Sequence, residues 1–501
     1  MAGETSASTA CSKAENKVTV IIGGRIPSAL KASKSQANPP LRNDVRKGRK
    51  SETRHNMDIA QQSRGKATAD GGRRVKRLQI TFVGLALLTS ILKNMDRATL
   101  SIAAIHIRSD LGLSATQIGA LLSIWSIAYA VCNIPAGYVI DRHGVRKIAS
   151  FAIFFWSLAQ LAGGVVTGFS QMFASRFLLG VTEAPNAPAN AKAVTTWIPL
   201  RSRGLAWAIY TSGGSVGPFI APLVLTALMV HFGWRMMFVG MGLIGIVVAI
   251  VYYAVYRDVE KAKLSDEERT LVSQDEPAAS TDPITFKHWR ALYRFPTTWA
   301  LMFGALTLGW VSWLYVGWMP LFLETEFHMT VAKTGLFASI PFLCGIFGSF
   351  LGGLWLDHQK RRGATPLASC KSPIAIGTLA LSLSTLGFAF AKTPAIAIVF
   401  SSCAFCLCMV ITTALWAAGS VLYPKRIVAS AITLINFAVY IGASISPLVT
   451  GWSVDMTGSF KTSFLLGSAL ALLGALVMFR FVTKAIDEAS IEQVVSASNK
   501  H

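Results

Sequence analysis

Residues 199–233 read PLRSRGLAWAIYTSGGSVGPFIAPLVLTALMVHFG, and residues 424–458 read PKRIVASAITLINFAVYIGASISPLVTGWSVDMTG. Each opens on a proline with basic residues close behind, carries a second proline at the same distance, and closes on a glycine. The pairs Pro199 and Pro424, Pro222 and Pro447, and Gly233 and Gly458 share one offset, 225 residues (424 minus 199). About 20 consecutive apolar residues are enough to cross a bilayer as a helix, and both stretches hold such a run. One offset kept through a Gly- and Pro-rich span implies a duplicated unit.

Working outward, runs of this kind recur from Leu78 to Val482, over residues 78–105, 116–140, 147–168, 171–198, 204–230 and 235–256, then 297–323, 333–357, 370–391, 394–420, 426–450 and 460–483. The expected fold is an all-α membrane protein, twelve transmembrane helices in two pseudo-symmetric six-helix bundles. Its parts are a disordered basic N-terminal extension (1–77), a first bundle (78–256), a solvated linker with one short surface helix (257–296), a second bundle (297–483) and a tail (484–501). Loops after spans 2, 4, 8 and 10 carry the positive charge: Arg142, Arg146 and Lys147; Arg201 and Arg203; Lys360, Arg361 and Arg362; Lys425 and Arg426. Basic loops stay in the cytoplasm, so both termini and the linker are expected there, in a plasma (bacterial inner) membrane. No segments of about ten residues alternate apolar and polar as in an outer-membrane barrel.

The composition fits. Of 501 residues 52% are hydrophobic and only 14% charged, against roughly 25% charged in soluble domains. The net charge of +22 is concentrated off the membrane: residues 1–80 hold 17 Lys and Arg against 6 Asp and Glu, a net of +11. With the rest in loops and no aromatic-interleaved basic motif, nucleic-acid binding is not expected. Residues 1–77 lack sustained periodicity and fit a lipid-attracted basic tail, an organelle-targeting segment, or an over-long reading with translation starting at Met57. The seven cysteines imply no disulfide framework. Cys403 and Cys406 have redox or metal spacing but lack a second ligand pair, so they read as small packing residues, and no metal site is expected.

Four ionisable residues interrupt the apolar runs: Asp96, Arg97, Arg176 and Glu183. A charge near the bilayer centre costs roughly 2.5–3.5 kcal/mol on insertion scales, so such groups face partners or a watery cavity. Arg176 and Glu183 lie two helical turns apart on one face, roughly 10 Å along the axis, and could form a static pair. Adjacent Asp96 and Arg97 cannot face each other. Pro185 and Pro188, just after Glu183, remove helix hydrogen bonds, and broken helix at membrane depth is tolerated where it lines a cavity. Such a set at the midplane of parallel repeats points to transport of something charged. Lys192, near the cytoplasmic end of span 4, could snorkel to the interface; Lys93 has no obvious role.

Gly137-Tyr-Val-Ile-Asp141-Arg142-His-Gly144-Val-Arg146-Lys147 joins spans 2 and 3, with a weaker copy ending in Asp357 in the second half. Gly137 permits close helix approach, Gly144 a tight turn, and Asp141 can pair with basic groups or a helix N-terminus of the facing unit. This resembles the cytoplasmic loop motif of the major facilitator superfamily, where it latches the outward-open state. Asp96-Arg97-Ala-Thr-Leu, and Arg176 through Glu183-Ala-Pro, resemble the anion:cation symporter branch, which includes bacterial galactonate, glucarate and hexuronate permeases. So do Tyr129 with Cys132-Asn-Ile-Pro-Ala-Gly, Tyr210-Thr-Ser-Gly-Gly, Trp416 and Asn436-Phe. The resemblance covers residues 78–483. It implies proton sites at Asp96 and Glu183, a substrate carboxylate on Arg97, and coupling of occupancy to protonation by Arg176. Burial favours a neutral carboxyl and a nearby arginine favours the ionised one, so arginine movement would switch protonation. Tyr129, Tyr210, Trp313, Trp416, Asn436 and Tyr440 are expected around the cavity. Span 7 holds further aromatics, Trp299, Trp310, Tyr315 and Trp318, read as core or lipid-interface anchors. Gly214 departs from sugar-acid members that carry an amide there, leaving room for an aromatic or smaller acid.

The expected protein is therefore a monomeric carrier of a small organic anion, driven by protons without a cofactor. Gly213-Gly-Ser215-Val-Gly217 fits a hydrolase elbow, but inside an apolar helix it reads as small-residue packing, so an enzyme is not expected. A passive uniporter or exchanger, and a non-transporting receptor, are the remaining alternatives.

Overall fold

In lipid the backbone must pair its own N–H and C=O groups, and the computed structural model answers with helices. It describes residues 42–272, 290–424 and 427–497, among which no strand occurs. The chain divides into two compact units, Met1–Lys66 and Ala67–His501. Of the first, residues 42–66 are described and are helical; expectations for residues 1–41 lie outside the described residues. All that follows concerns the second unit.

Helix α1 is assigned over Arg42–Ile102, and its stretch Gly72–Ile102 is apolar enough to cross a membrane. The expected boundary after residue 77 thus falls inside a helix, where Val75 is buried and Arg74 pairs with Glu268 at 3.5 Å. A short α2 (Ala104–Leu111) leads to α3 (Ala115–His143), α4 (Val145–Gly163), α5 (Phe169–Glu183), α6 (Asn186–Trp197) and α7 (Leu200–Val255). The linker contributes α8 (Asp266–Val272), the short surface helix expected there; residues 273–289 lie outside the described residues. The second half holds α9 (Pro296–Glu326), α10 (Val331–Arg361), α11 (Pro366–Ala389), α12 (Pro394–Val421), α13 (Val428–Thr457) and α14 (Lys461–Phe481), with α15 (Glu488–Ala497) behind them.

Ten helices among the described residues are long and apolar enough to span a membrane, against twelve expected spans, and the difference has two sources. Ser202–Val255 is one of the ten, yet its 54 residues would reach about 80 Å at 1.5 Å each, far beyond a ~30 Å hydrocarbon core. It turns at Gly233, whose φ of 79° is non-helical, and supplies two crossings. The fourth span is split at Ala184-Pro185 into α5 and α6, of 15 and 12 residues, each too short alone. Twelve crossings result. The duplication is visible at the backbone: Gly458 has φ 69° and ends α13 just as Gly233 ends its crossing, and Pro222 and Pro447 both lie inside helices. In span 7, Trp310, Tyr315 and Trp318 are core, whereas Trp299 is exposed and donates its indole N–H to Tyr293 O at 2.7 Å.

The two bundles meet where α3 packs on α13 and α7 on α10. The hydrogen bonds joining them run from mid-depth to the end away from the basic loops. Ser126 and Ser444 hydroxyls lie 2.9 Å apart, and the Ser101 hydroxyl is 2.8 Å from both Val316 O and Gly317 O. At the far end Asp455 of α13 accepts from Ala115 N (2.9 Å), Thr116 N (2.7 Å) and Thr116 Oγ1 (2.6 Å), donors at the start of α3. Gly119 abuts the backbone of Pro447, and Gly451 that of Ala115. A side chain at either would push the seam apart, and so this end is closed.

Candidate functional site

At mid-depth, a cavity of about 220 Å³ lies between the bundles. Its walls include Asn94 and Arg97 of α1, Gly214 and Pro218 of α7, Trp313 of α9, Phe342 of α10, Phe405 and Met409 of α12, and Asn436 and Tyr440 of α13. Of the residues expected around it, Arg97, Trp313, Asn436 and Tyr440 are on its surface. Tyr129 lies one layer behind, its ring 4.9 Å from that of Tyr440. Tyr210 is buried against Trp207, with ring centroids 5.3 Å apart. Trp416 is not on the cavity wall and is 42% exposed.

Arg97 is the centre of the site. Its Nε donates to Glu183 Oε2 at 3.0 Å, Nη2 lies 3.0 Å from the same oxygen, and the Trp125 indole N–H donates to it at 2.9 Å. Glu183 is fully buried, and its second oxygen has no hydrogen-bond partner among the described residues. The guanidinium lies over the faces of Trp125 (4.1 Å) and Tyr129 (5.0 Å), a cation–π arrangement that holds charge away from water. Trp125 stacks in turn on Trp313, centroids 5.1 Å apart, so the aromatic support of Arg97 crosses the bundle seam.

Asp96, one residue earlier on α1, points elsewhere, as adjacent helix residues must. It is 1% exposed, and neither carboxylate oxygen makes a hydrogen bond among the described residues; the Trp156 indole lies beside it without hydrogen-bond geometry. Arg176, 2% exposed, donates from Nη2 to Gln160 Oε1 at 3.0 Å; Gln160 Nε2 donates to Thr99 Oγ1 at 3.0 Å, and Thr99 to Asp96 O at 2.7 Å. Arg176 also rests over the Phe238 ring at 4.9 Å. The static Arg176–Glu183 pair weighed from the spacing is thus not the one formed: Glu183 is held by Arg97, and Arg176 by Gln160.

Helix breakage positions Glu183. Pro188 has no N–H for the Ala184 carbonyl one turn back, and Asn133 of α3 fills the gap, its Nδ2 donating to Ala184 O at 3.1 Å. Asn133, Trp125 and Gln160 are the polar supports that sequence reasoning missed as site residues. Gln160 had a signal, an amide inside an apolar span; Trp125 had only its place one turn from Tyr129. The glycines of Gly213-Gly-Ser215-Val-Gly217 pack on α1, Gly213 against Ser90 and Gly217 against Asn94, while Gly214 faces the cavity.

At the basic end, the loop motif is engaged within its own bundle. Asp141 accepts from Lys192 Nζ at 2.8 Å, so Lys192 pairs with the motif instead of snorkelling. Gly144 holds φ 86°, and a Cβ there would lie 2.8 Å from an oxygen of Asp258. That carboxylate accepts from Arg146 N at 3.1 Å, and the Arg146 guanidinium lies over Tyr253 at 4.3 Å. Arg142 is exposed beside them. Gly137 corrects the expectation of close helix approach: a Cβ there would meet nothing within 4 Å, because the bundles are held together at the opposite end. Asp357 lies near the end of α10 in a groove with His358 and Arg361. No three His, Cys, Asp or Glu side chains among the described residues are arranged to hold a metal.

Comparison with known proteins identifies the family of this fold. A "Probable L-galactonate transporter" of Escherichia coli K12 is 34% identical over 415 residues, covering 83% of this chain and 92% of that one. The "Probable galactarate/D-glucarate transporter GarP" of the same strain is 30% identical over 416 residues, covering 79% and 93%. Among solved structures, a bacterial homologue of the human lysosomal transporter Spinster superposes with a TM-score of 0.66 at 18% identity, covering 84% of this chain and 98% of that one. Residues 86–447 match the Major Facilitator Superfamily, and the chain belongs to that family, as a membrane transporter and not an enzyme.

Proposed function

We propose that this protein is a proton-coupled symporter of a small organic anion, of the sugar-acid class, working by alternating access as a monomer. It moves the anion inward across a bacterial inner membrane, with both termini and the linker in the cytoplasm. The relatives named for galactonate and for galactarate/D-glucarate transport support the substrate class. The observation that carries the coupling is the double role of Arg97, which lines the cavity and binds Glu183 at 3.0 Å. A substrate carboxylate and Glu183 compete for one guanidinium. Bound substrate releases Glu183, and a carboxylate left fully buried without its cation takes a proton. Asp96 is the second proton site, and Arg176, tied to its backbone through Gln160 and Thr99, senses its charge. At least one proton per monoanion is needed for accumulation, because a negative-inside potential opposes anion entry by roughly 2.3 kcal/mol per charge per 100 mV.

The test is uptake into proteoliposomes under an imposed inward proton gradient, with aldonates, aldarates, hexuronates and simple aromatic acids. Accumulation of a sugar acid that a protonophore abolishes is the expected result. Equilibration or exchange without accumulation would remove the proton roles of Asp96 and Glu183, and accumulation of aromatic acids alone would remove the sugar-acid class.

A further inference from the structure

We infer that the cavity is built for a single carboxylate, so that the protein takes monocarboxylic sugar acids and rejects sugar acids ionised at both ends. The inference rests on the sugar-acid reading and narrows it. Arg97 is the only charged side chain on the cavity wall among the described residues. The other two cations of this region are withheld: Lys93 and Arg176 are 7% and 2% exposed, line no part of the cavity, and Arg176 is committed to Gln160.

Asn94, Asn436 and Tyr440 lie on the Arg97 side, and the other polar wall residues, Ser101 and Ser312, carry only uncharged hydroxyls. Asn94 lies one turn from Arg97 on α1, and Tyr440, with Asn436 one turn before it, packs on the Tyr129 ring that also faces Arg97. Another wall is apolar. Phe342 and Phe405 meet edge to face with centroids 4.6 Å apart, and Met409 adjoins Phe405 where both pack on Gly345. A chain with one carboxylate sets it on Arg97 and its hydroxyls on the amides and the phenol. A second terminal carboxylate, ionised at neutral pH, has no cation to reach in the cavity, and an unpaired buried charge is strongly disfavoured. Selectivity therefore comes from what the apolar wall refuses as much as from what Arg97 attracts.

The experiment is calorimetric binding to the purified full chain at neutral pH, with no proton gradient, comparing galactonate with galactarate. These differ at one terminus, alcohol against carboxylate. Galactonate is expected to bind at least tenfold more tightly, and Met409→Lys, which puts a cation on the apolar wall, to narrow that ratio by improving galactarate. Equal or tighter binding of galactarate by the native protein would overturn the inference, as would binding of neither acid. Galactonate preference in a protein that shows no gradient-driven accumulation would sustain this inference while removing the proton coupling proposed above. Should Met409→Lys fail to fold, Phe405→Lys is read in its place, and a ratio unchanged in a folded variant counts against the apolar wall as its source.

Discussion

Arg97 has one charge and two claimants, which makes the pair with Glu183 testable one residue at a time. Glu183→Gln removes the competing charge and leaves a guanidinium 9% exposed without its ion-pair partner. Breaking a buried pair by removing one partner is strongly destabilising, so the unfolding temperature should fall. Added substrate should restore more of it than it adds to the native protein, because its carboxylate replaces the missing one. Substrate affinity should rise about tenfold, equivalent to about 1.4 kcal/mol, while accumulation driven by a proton gradient is lost. If substrate stabilises the variant no more than the native protein, the competition does not exist. The charges themselves were legible, since ions in apolar runs stand out whatever the fold. Their partners were not. Arg97 and Glu183 are 86 residues apart, and which cation meets which carboxylate depends on helix rotation that no spacing within one helix fixes. Trp416 illustrates the same limit, an aromatic placed at the cavity by resemblance that lies off its wall.

At the scale of the element, the broken fourth span shows how a defect is made tolerable. Pro185 and Pro188 announced the break between α5 and α6, because a helix interior cannot supply the donors they lack. What the sequence did not announce is that Asn133, 51 residues earlier, supplies the missing donor at 3.1 Å. Asn133→Leu leaves the Ala184 carbonyl unpaired inside the bundle, a loss of about 1–3 kcal/mol, to be read as a lower unfolding temperature in detergent. Asn133→Asp, which keeps the size but not the donor, should lose at least as much; native-like stability in both would mean that the break carries no cost. Because Glu183 is the last residue of α5, a relaxed break should also loosen its hold on Arg97 and so raise substrate affinity, in the same direction as Glu183→Gln. The glycine at 233 tells a related story. It was visible as a repeat partner of Gly458 and as the gap between spans 204–230 and 235–256, and its φ of 79° is the turn that divides the 54-residue stretch Ser202–Val255 into those two crossings.

For the whole molecule, the duplication and the twelve crossings were readable because they rest on length and hydropathy, whereas the state of the carrier was not. The same sequence holds a polar cluster at each end, Asp141 with its loop motif at the basic end and Asp455 at the other, and which of them joins the two bundles is a property of the conformation. Here Asp455 is engaged, taking three donors at the start of α3, while Asp141 binds Lys192 of its own bundle. If the protein works by alternating access as proposed, the Asp455 contacts must break once in every cycle, and their strength sets the balance between the two states. Asp455→Ala leaves those N–H groups to water, a loss on the order of 1–2 kcal/mol for a helix-start acceptor, which shifts a two-state ratio by roughly 5–30-fold. Ser126→Cys provides the reporter, since its hydroxyl lies at the seam 2.9 Å from Ser444, beneath the closed end. Labelling of that thiol by a membrane-impermeant reagent, applied from the side bearing Asp455, should rise by the same factor when Asp455→Ala is added. Substrate binding at Arg97 should persist, because Asp455 touches no part of the cavity wall. Unchanged labelling would mean that the seal lies in the close packing of Gly119 and Gly451 against the facing backbones, and that Asp455 only trims the end of α3.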